Sequence, residues 1–234
     1  MSIPQNIAEL QSKIAQAAKR AGRSPSQIAL MAVTKTHPPD PIREAYESGL
    51  RLFGENRVQE FSAKADALAD LVGAEWHMIG HLQTNKAAKA AELFNAIDSV
   101  DSIKLAEKLD AAARALNKQL QVLIEVNVGG EAAKTGVAPD SADLEDLLKA
   151  APRLEGLNVR GLMTVPPFAE DPEGARLYFR KLRALRDQVA SRNLPAITLE
   201  VLSMGMSHDF TVAIEEGSTC IRIGTAIFGE REKP

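Results

Sequence analysis

The sequence predicts an α/β fold, a closed (β/α)8 TIM barrel with an extra helix at its N-terminus. Three observations carry this. Short apolar, strand-like segments alternate with helical patterns along the chain, and strict alternation of that kind predicts a parallel sheet with helices outside it. Eight such segments can be counted. Dividing 234 residues among eight units leaves about 29 residues each, close to the ~30 of one strand-helix unit. An open, doubly wound sheet is the alternative, but it usually has fewer strands.

The elements follow in order. Ser2-x-x-Gln5 has the pattern of a capping box and opens a helix with Ile7, Leu10, Ile14 and Ala18 on one face, ending at Gly22. Strand-like runs then fall at 28–34, 51–53, 76–79, 96–100, 121–128, 157–163, 198–202 and 220–223, with 51–53 the shortest. Among the helical patterns, Val58, Phe61, Ala65 and Leu68 keep a 3-4-3 spacing. Ala175, Tyr178, Leu182, Leu185 and Val189 do the same, behind an Asp171-Pro172 cap. Asp101 or Ser102 can cap a helix carrying Leu105, Leu109, Ala112 and Leu116, and Ser207 one that ends at Gly217.

Composition narrows the function classes. At 45% hydrophobic and 25% charged, residues 1–234 suit one globular domain with a substantial core, and no linker-like tract divides them. The net charge of −3 argues against nucleic acid or a membrane surface as partner. No apolar run approaches the ~20 residues of a membrane span. The first residues show neither a basic start nor an apolar core, so no export signal is expected. One cysteine, Cys220, allows no internal disulfide and fits a reducing, cytoplasmic setting.

A barrel places its chemistry at the C-terminal ends of the strands. Read in order, those ends give Lys35, Gly54-Glu55-Asn56, His77 to His81, Asp98 to Asp101, Asn127, Met163-Thr164, Ser203 to Ser207 and Arg222-Ile223-Gly224-Thr225. Lys35 closes the apolar run Ile28 to Val33 and is followed by Thr36-His37-Pro38-Pro39. An ammonium held at an apolar mouth loses hydration, which lowers its pKa and favours attack on a carbonyl. By itself this segment fits a solvated lysine at a strand end better than a Schiff-base former. The last two units change the balance. Loops rich in glycine and hydroxyls follow strands seven and eight, where barrels commonly bind phosphate, and Arg222 accompanies them. Arginine, Ser/Thr hydroxyls and glycine N–H groups suit a phosphate dianion. A lysine facing such a cradle describes a pyridoxal phosphate site.

Other motifs carry less. His77-x-x-x-His81 has metal spacing only on a helix; here His77 sits in a strand-like run and Gly80 interrupts, so two satisfied histidines are expected. Gly130 to Gly136 imitates a phosphate-binding P-loop, but Ala133 and Val128 occupy its two required glycine positions. Cys220 reads as a small buried hydrophobe.

Several motifs together resemble one family. They are Ala32-Val33-Thr34-Lys35, Phe53-Gly54-Glu55-Asn56-Arg57-Val58-Gln59-Glu60, the stretch from Trp76-His77-Met78-Ile79-Gly80-His81 to Lys86, Gly161-Leu162-Met163, Leu202 to Ser207, and Gly217 to Arg231. From about residue 28 onward the chain resembles the pyridoxal phosphate homeostasis proteins, the YggS/PROSC type, akin to the barrel domain of alanine racemase. The resemblance implies a barrel of the alanine-racemase N-terminal type holding pyridoxal 5′-phosphate as an internal aldimine on Lys35. It implies that Ser203, Gly224 and Thr225 hold the phosphate, with Ser207 nearby capping its helix. Arg222 would face the pyridine nitrogen and Asn56 would lie close to the ring. It assigns no chemical role to the Trp76 to Lys86 segment.

An arginine at the pyridine nitrogen cannot accept a hydrogen bond, so the ring stays unprotonated and is a poor electron sink. Racemisation with two bases remains conceivable, yet the racemase's second base is a tyrosine on a separate domain. The only tyrosines here, Tyr46 and Tyr178, fall in outer helices. The expectation is therefore a monomeric, cytoplasmic carrier with no catalytic residues that holds, buffers or delivers the cofactor to apoenzymes. A minimal amino-acid racemase is the rival reading, and a barrel aldolase using Lys35 the third.

Overall fold

The computed structural model describes residues 2–131 and 134–229. The Ala132-Ala133 pair of the P-loop-like stretch and the motif end at Glu230-Arg231 lie outside the described residues. Eight parallel strands pair in chain order and close: β1 (Ala29–Val33), β2 (Leu52–Glu55), β3 (Glu75–Met78), β4 (Ala96–Val100), β5 (Leu120–Glu125), β6 (Leu157–Met163), β7 (Ile197–Met206) and β8 (Cys220–Ile223). β1 lies between β2 and β8, with Val33 beside Gly54 and Ala32 beside Ile223, so the sheet has no free edge. The expected (β/α)8 barrel is what forms.

Around it run α1 (Ile3–Arg20), α2 (Pro39–Glu47), α3 (Val58–Ser62), α4 (Ala87–Leu93), α5 (Ile103–Ala115), α6 (Ala142–Ala150), α7 (Arg176–Ala190), α8 (Phe210–Glu215) and α9 (Thr225–Phe228). The extra helix α1 begins at Ser2, whose N–H donates to Gln5 Oε1 at 3.1 Å, and buries Ile7, Leu10, Ile14 and Ala18 as its spacing predicts. Asn6 Nδ2 donates to the Ile227 carbonyl at 2.8 Å, tying α1 to α9. Ser102 caps α5, accepting from Leu105 N–H. Asp171 caps the 3-10 turn that leads into α7. Between sheet and helices, Phe53 and Trp76 stack at 4.9 Å, and Phe61 meets Trp76 at 4.6 Å and Phe94 at 5.0 Å. This aromatic packing explains why Trp76 is large and apolar: it faces the helix layer, not a ligand.

Four expectations need correction. The helix drawn through Val58 to Leu68 breaks after Ser62 and resumes as a 3-10 turn at Asp66–Leu68. β5 stops at Glu125, not 128. Asn127 closes the following loop, its Oδ1 accepting from Gly130 N–H at 3.0 Å and its Nδ2 donating to the Glu131 carbonyl. β7 runs on to Met206, through a register shift against β8 between Ser203 and Met206. Gly205 makes the shift possible, with φ +98° and only 2.5 Å between its would-be Cβ and that of Ala213. Asp209, not Ser207, occupies the N-cap of α8. No helix among the described residues is long and apolar enough to cross a membrane.

Candidate functional site

Side chains alternate across a strand, so Ala29, Met31, Val33 and, past its end, Lys35 share the inner side of β1. They run from the floor of the barrel to a cavity of about 600 Å³ at the C-terminal mouth, the end where barrels of this kind carry chemistry. Lys35, Asn56, Arg222, Gly224 and Thr225, all singled out from sequence, line that cavity together with Ser207.

Lys35 is anchored by its neighbours. Thr34 is fully buried on the outer side, where its hydroxyl donates to the Glu55 carboxylate and its N–H to the Gly54 carbonyl at 2.9 Å. Lys64 reaches in from the helix layer to Glu55 Oε1 at 2.8 Å and to the Thr34 and His37 carbonyls at 3.0 and 3.1 Å. Burial pushes the Glu55 carboxyl above its ordinary range, against the pull of Lys64 and Thr34. Thr36 sits at φ +66°, unusual for a β-branched residue and worth ~1–3 kcal/mol of strain. Its N–H donates to Glu60, which holds it there. The Phe-Gly-Glu-Asn motif is thereby explained: Phe53 packs outward, Glu55 clamps the end of β1, and Asn56 turns to the cavity.

The floor is Arg222, 4% exposed. One Nη donates to Ser203 Oγ and the other to the Thr164 carbonyl, both at 2.7 Å. Burial lowers its pKa, with nearby Cys220, Asp98, Glu125 and Asp209 opposing. Ser203 is itself fully buried beneath the cavity and does not reach its wall. On the Lys35 side the hydroxyl residues that do are Ser207 and Thr225. Ser207 Oγ accepts from the Ala226 N–H at 3.4 Å, so Ser207, Gly224 and Thr225 meet at the first turn of α9. That set of hydroxyls and N–H groups, with a lysine on the neighbouring strand and an arginine below, has the donor chemistry a phosphorylated aldehyde requires.

On β3 and beyond, Ile79, Gly80 and His81 line the same cavity. A Cβ on Gly80 would lie 2.4 Å from the Asn56 carbonyl oxygen, so only glycine lets the two loops approach. The histidines separate: His77 Nδ1 is 3.0 Å from Asp98 Oδ1 inside the barrel, and His81 Nδ1 is 3.3 Å from Asp101 Oδ2 at the rim. His77 meets a carboxylate on β4, and His81 one just past its end. No three metal-binding side chains converge among the described residues. Cys220 is buried and its thiol is pushed up to about 12 by desolvation, so it behaves as the small hydrophobe expected.

Glu125, Lys134 and Thr135 also line the cavity, and the sequence reading did not place them there. Glu125 carried a usable signal. It ends the apolar run Val122-Leu123-Ile124 as Lys35 ends Met31-Ala32-Val33. Carrying β5 on to 128 moved the strand end to Asn127 and hid it.

The family model for the N-terminal domain of alanine racemase matches residues 5–232. A pyridoxal phosphate homeostasis protein of Aquifex aeolicus is 47% identical over 99% of this chain and 100% of its own length. The chain belongs to the pyridoxal phosphate homeostasis family. PipY of Synechococcus elongatus, solved with pyridoxal phosphate bound, superposes with a TM-score of 0.84 at 39% identity, covering 97% of this chain and 100% of that one. Alanine racemase from Streptomyces coelicolor matches at TM-score 0.68 and 23% identity over 96% of this chain and 58% of its own, a likeness of fold.

Proposed function

We propose that this chain binds pyridoxal 5′-phosphate through a Schiff base to Lys35 and serves as its carrier. It would hold, buffer or deliver the cofactor to apoenzymes with little or no catalysis of its own. The observation that carries the reading is the cavity wall on which Lys35 stands beside Ser207, Gly224 and Thr225, above Arg222. The names of the homeostasis relatives and the cofactor bound in PipY support the ligand.

In this reading the N–H groups and hydroxyls at the start of α9 take the phosphate, and Asn56 borders the ring. Arg222 faces the ring nitrogen. With both Nη atoms tied to Ser203 and Thr164, it presents only a donor there and keeps that nitrogen unprotonated. Ser203 then acts on the arginine, not on the phosphate. Bound this way the cofactor supplies a reversible carbonyl–amine linkage, and its capacity to stabilise a carbanion is weak. The second proton-transfer group of a racemase also lacks a counterpart among the tyrosines. Tyr46 donates from α2 to the Val72 carbonyl at 2.7 Å, Tyr178 lies on α7, and neither lines the cavity. The reading takes 1–234 as one pyridoxal phosphate-binding domain, monomeric and cytoplasmic, the last in keeping with its single thiol.

Two assays test it together. Incubated with alanine in deuterium oxide, the loaded protein should exchange the α-proton no faster than free cofactor does, yet restore activity to a pyridoxal phosphate-dependent apoenzyme. Exchange above that background that disappears with Lys35→Ala would instead establish the racemase reading.

A further inference from the structure

The cavity has two chemically different sides. In a closed ring of eight strands β5 stands opposite β1, so Glu125 faces Lys35 across the mouth. Around Lys35 the wall offers hydroxyls and N–H groups suited to an anion. On the far side stands Glu125, the one carboxylate among the described residues that line the cavity, flanked by Lys134, Thr135 and His81 with Arg222 below. Asp101, which follows β4, raises the Glu125 pKa, while Arg222 and His81 lower it. Desolvation is the largest influence and leaves that carboxyl above its usual range. Glu125 is 6% exposed. Its Oε1 accepts from Thr135 Oγ1 at 2.7 Å, and its Oε2 has no hydrogen-bond partner among the described residues.

A buried carboxylate oxygen without a donor costs ~1–3 kcal/mol or more, and the Glu125 side chain that carries this one lines a ligand-sized space. Phosphate has the wrong charge to partner this carboxyl. An ammonium brings three donors and the right charge.

We propose that Glu125 is the docking group for a primary ammonium, the side chain of a lysine or the α-amino group of an amino acid, that enters the cavity beside the cofactor. The inference rests on the cofactor reading above and extends it to the species that receives the cofactor. The hydroxyls and N–H groups at the start of α9 would hold the phosphate, Lys35 the carbonyl group, and Glu125 across the mouth the incoming amine. Thr135 orients the carboxyl through Oε1 and leaves Oε2 without a partner among the described residues.

The test compares two nucleophiles on the loaded protein. Ethanolamine is a cation at neutral pH and methoxyamine is not. Transfer of the cofactor from Lys35 to ethanolamine, which frees the lysine amine and is read as cofactor lost from the protein fraction after rapid desalting, should saturate, with a half-saturation concentration at least tenfold higher in Glu125→Gln. Methoxyamine should react alike with both proteins. An unchanged ethanolamine half-saturation overturns the proposal. So does equal slowing of both probes, which would mean that Glu125 only orders the loop at 134–137. A second arm titrates 1,5-diaminopentane into cofactor-free protein and follows its NMR signals, with binding expected in the wild type and lost in Glu125→Gln. If no absorbance band ever forms, the cofactor reading fails, and this arm still decides the role of Glu125.

Discussion

The two ends of this barrel are built from similar residues and use them differently. At the N-terminal end a pocket of about 130 Å³ is lined by Ala29, Leu52, Glu75, Ala96 and Gln121 near the strand starts, with His77, Asp98, Arg160 and Cys220. There the charges answer one another: His77 with Asp98, Arg160 with Glu200. At the C-terminal mouth the space is about 600 Å³, and Lys35, Arg222, Glu125 and the hydroxyls of Ser207 and Thr225 converge on it. Among the described residues three carboxylate oxygens have no hydrogen-bond partner: Asp98 Oδ2 at the lower end, and Glu125 Oε2 and Glu55 Oε2 at the upper. Asp98 lines room for a few waters at ~30 Å³ each, and Glu125 lines room for a ligand. Size of the opening, not residue type, separates a structural end from a functional one.

The mouth also contains a pair whose role is structural, and it gives the largest expected effect on stability. Lys64→Met leaves Glu55 buried without its cation and should cost about 3–5 kcal/mol in urea unfolding, with Glu55→Met in the same chain recovering most of it. A loss below about 1 kcal/mol would show that the clamp on Lys35 is not held by this pair. Gly80→Ala pushes a Cβ against the Asn56 carbonyl and should cost about 1–3 kcal/mol by overpacking. Because Asn56 borders the cavity, cofactor affinity read by spectral titration should fall with it.

At the closed end, burial opposes the His77 imidazolium, but the charge and hydrogen bond of Asp98 prevail and the pKa is raised. A raised folded pKa means stability that is fully present below the unfolded value of ~6.5 and lost as pH rises through the folded one. His77→Asn should therefore cost about 1–3 kcal/mol at pH 5.5 and progressively less toward alkaline pH. A cost that is flat with pH would contradict an ionised pair. Smallest in stability is Lys35→Ala: less than about 1 kcal/mol, since a rim lysine contributes little to the core.

The fold was legible because β-α alternation with strand-end punctuation leaves few closed solutions, and the weak stretch at 51–53 still became β2. Five of the six cofactor residues read from sequence meet at one cavity for the same reason: strand ends in a barrel converge. What stayed hidden depends on register. The extension of β7 to Met206, made by a left-handed Gly205, drops Ser203 below the floor and brings Ser207 to the wall. Ending β5 at Glu125 exposes a carboxylate that a strand continued to 128 conceals. A shift of one or two residues at a strand end is invisible to hydrophobic patterning, and it decides which side chain meets the ligand.

The most direct test of the mouth as the functional end is the absorbance spectrum of the protein with pyridoxal phosphate, before and after borohydride, followed by peptide mass mapping. A yellow band that reduction abolishes, with the cofactor's mass fixed on Lys35 and absent in Lys35→Ala, is the expected result. No band after incubation with the cofactor, or a fixed mass on another lysine with Lys35→Ala unaffected, would contradict it.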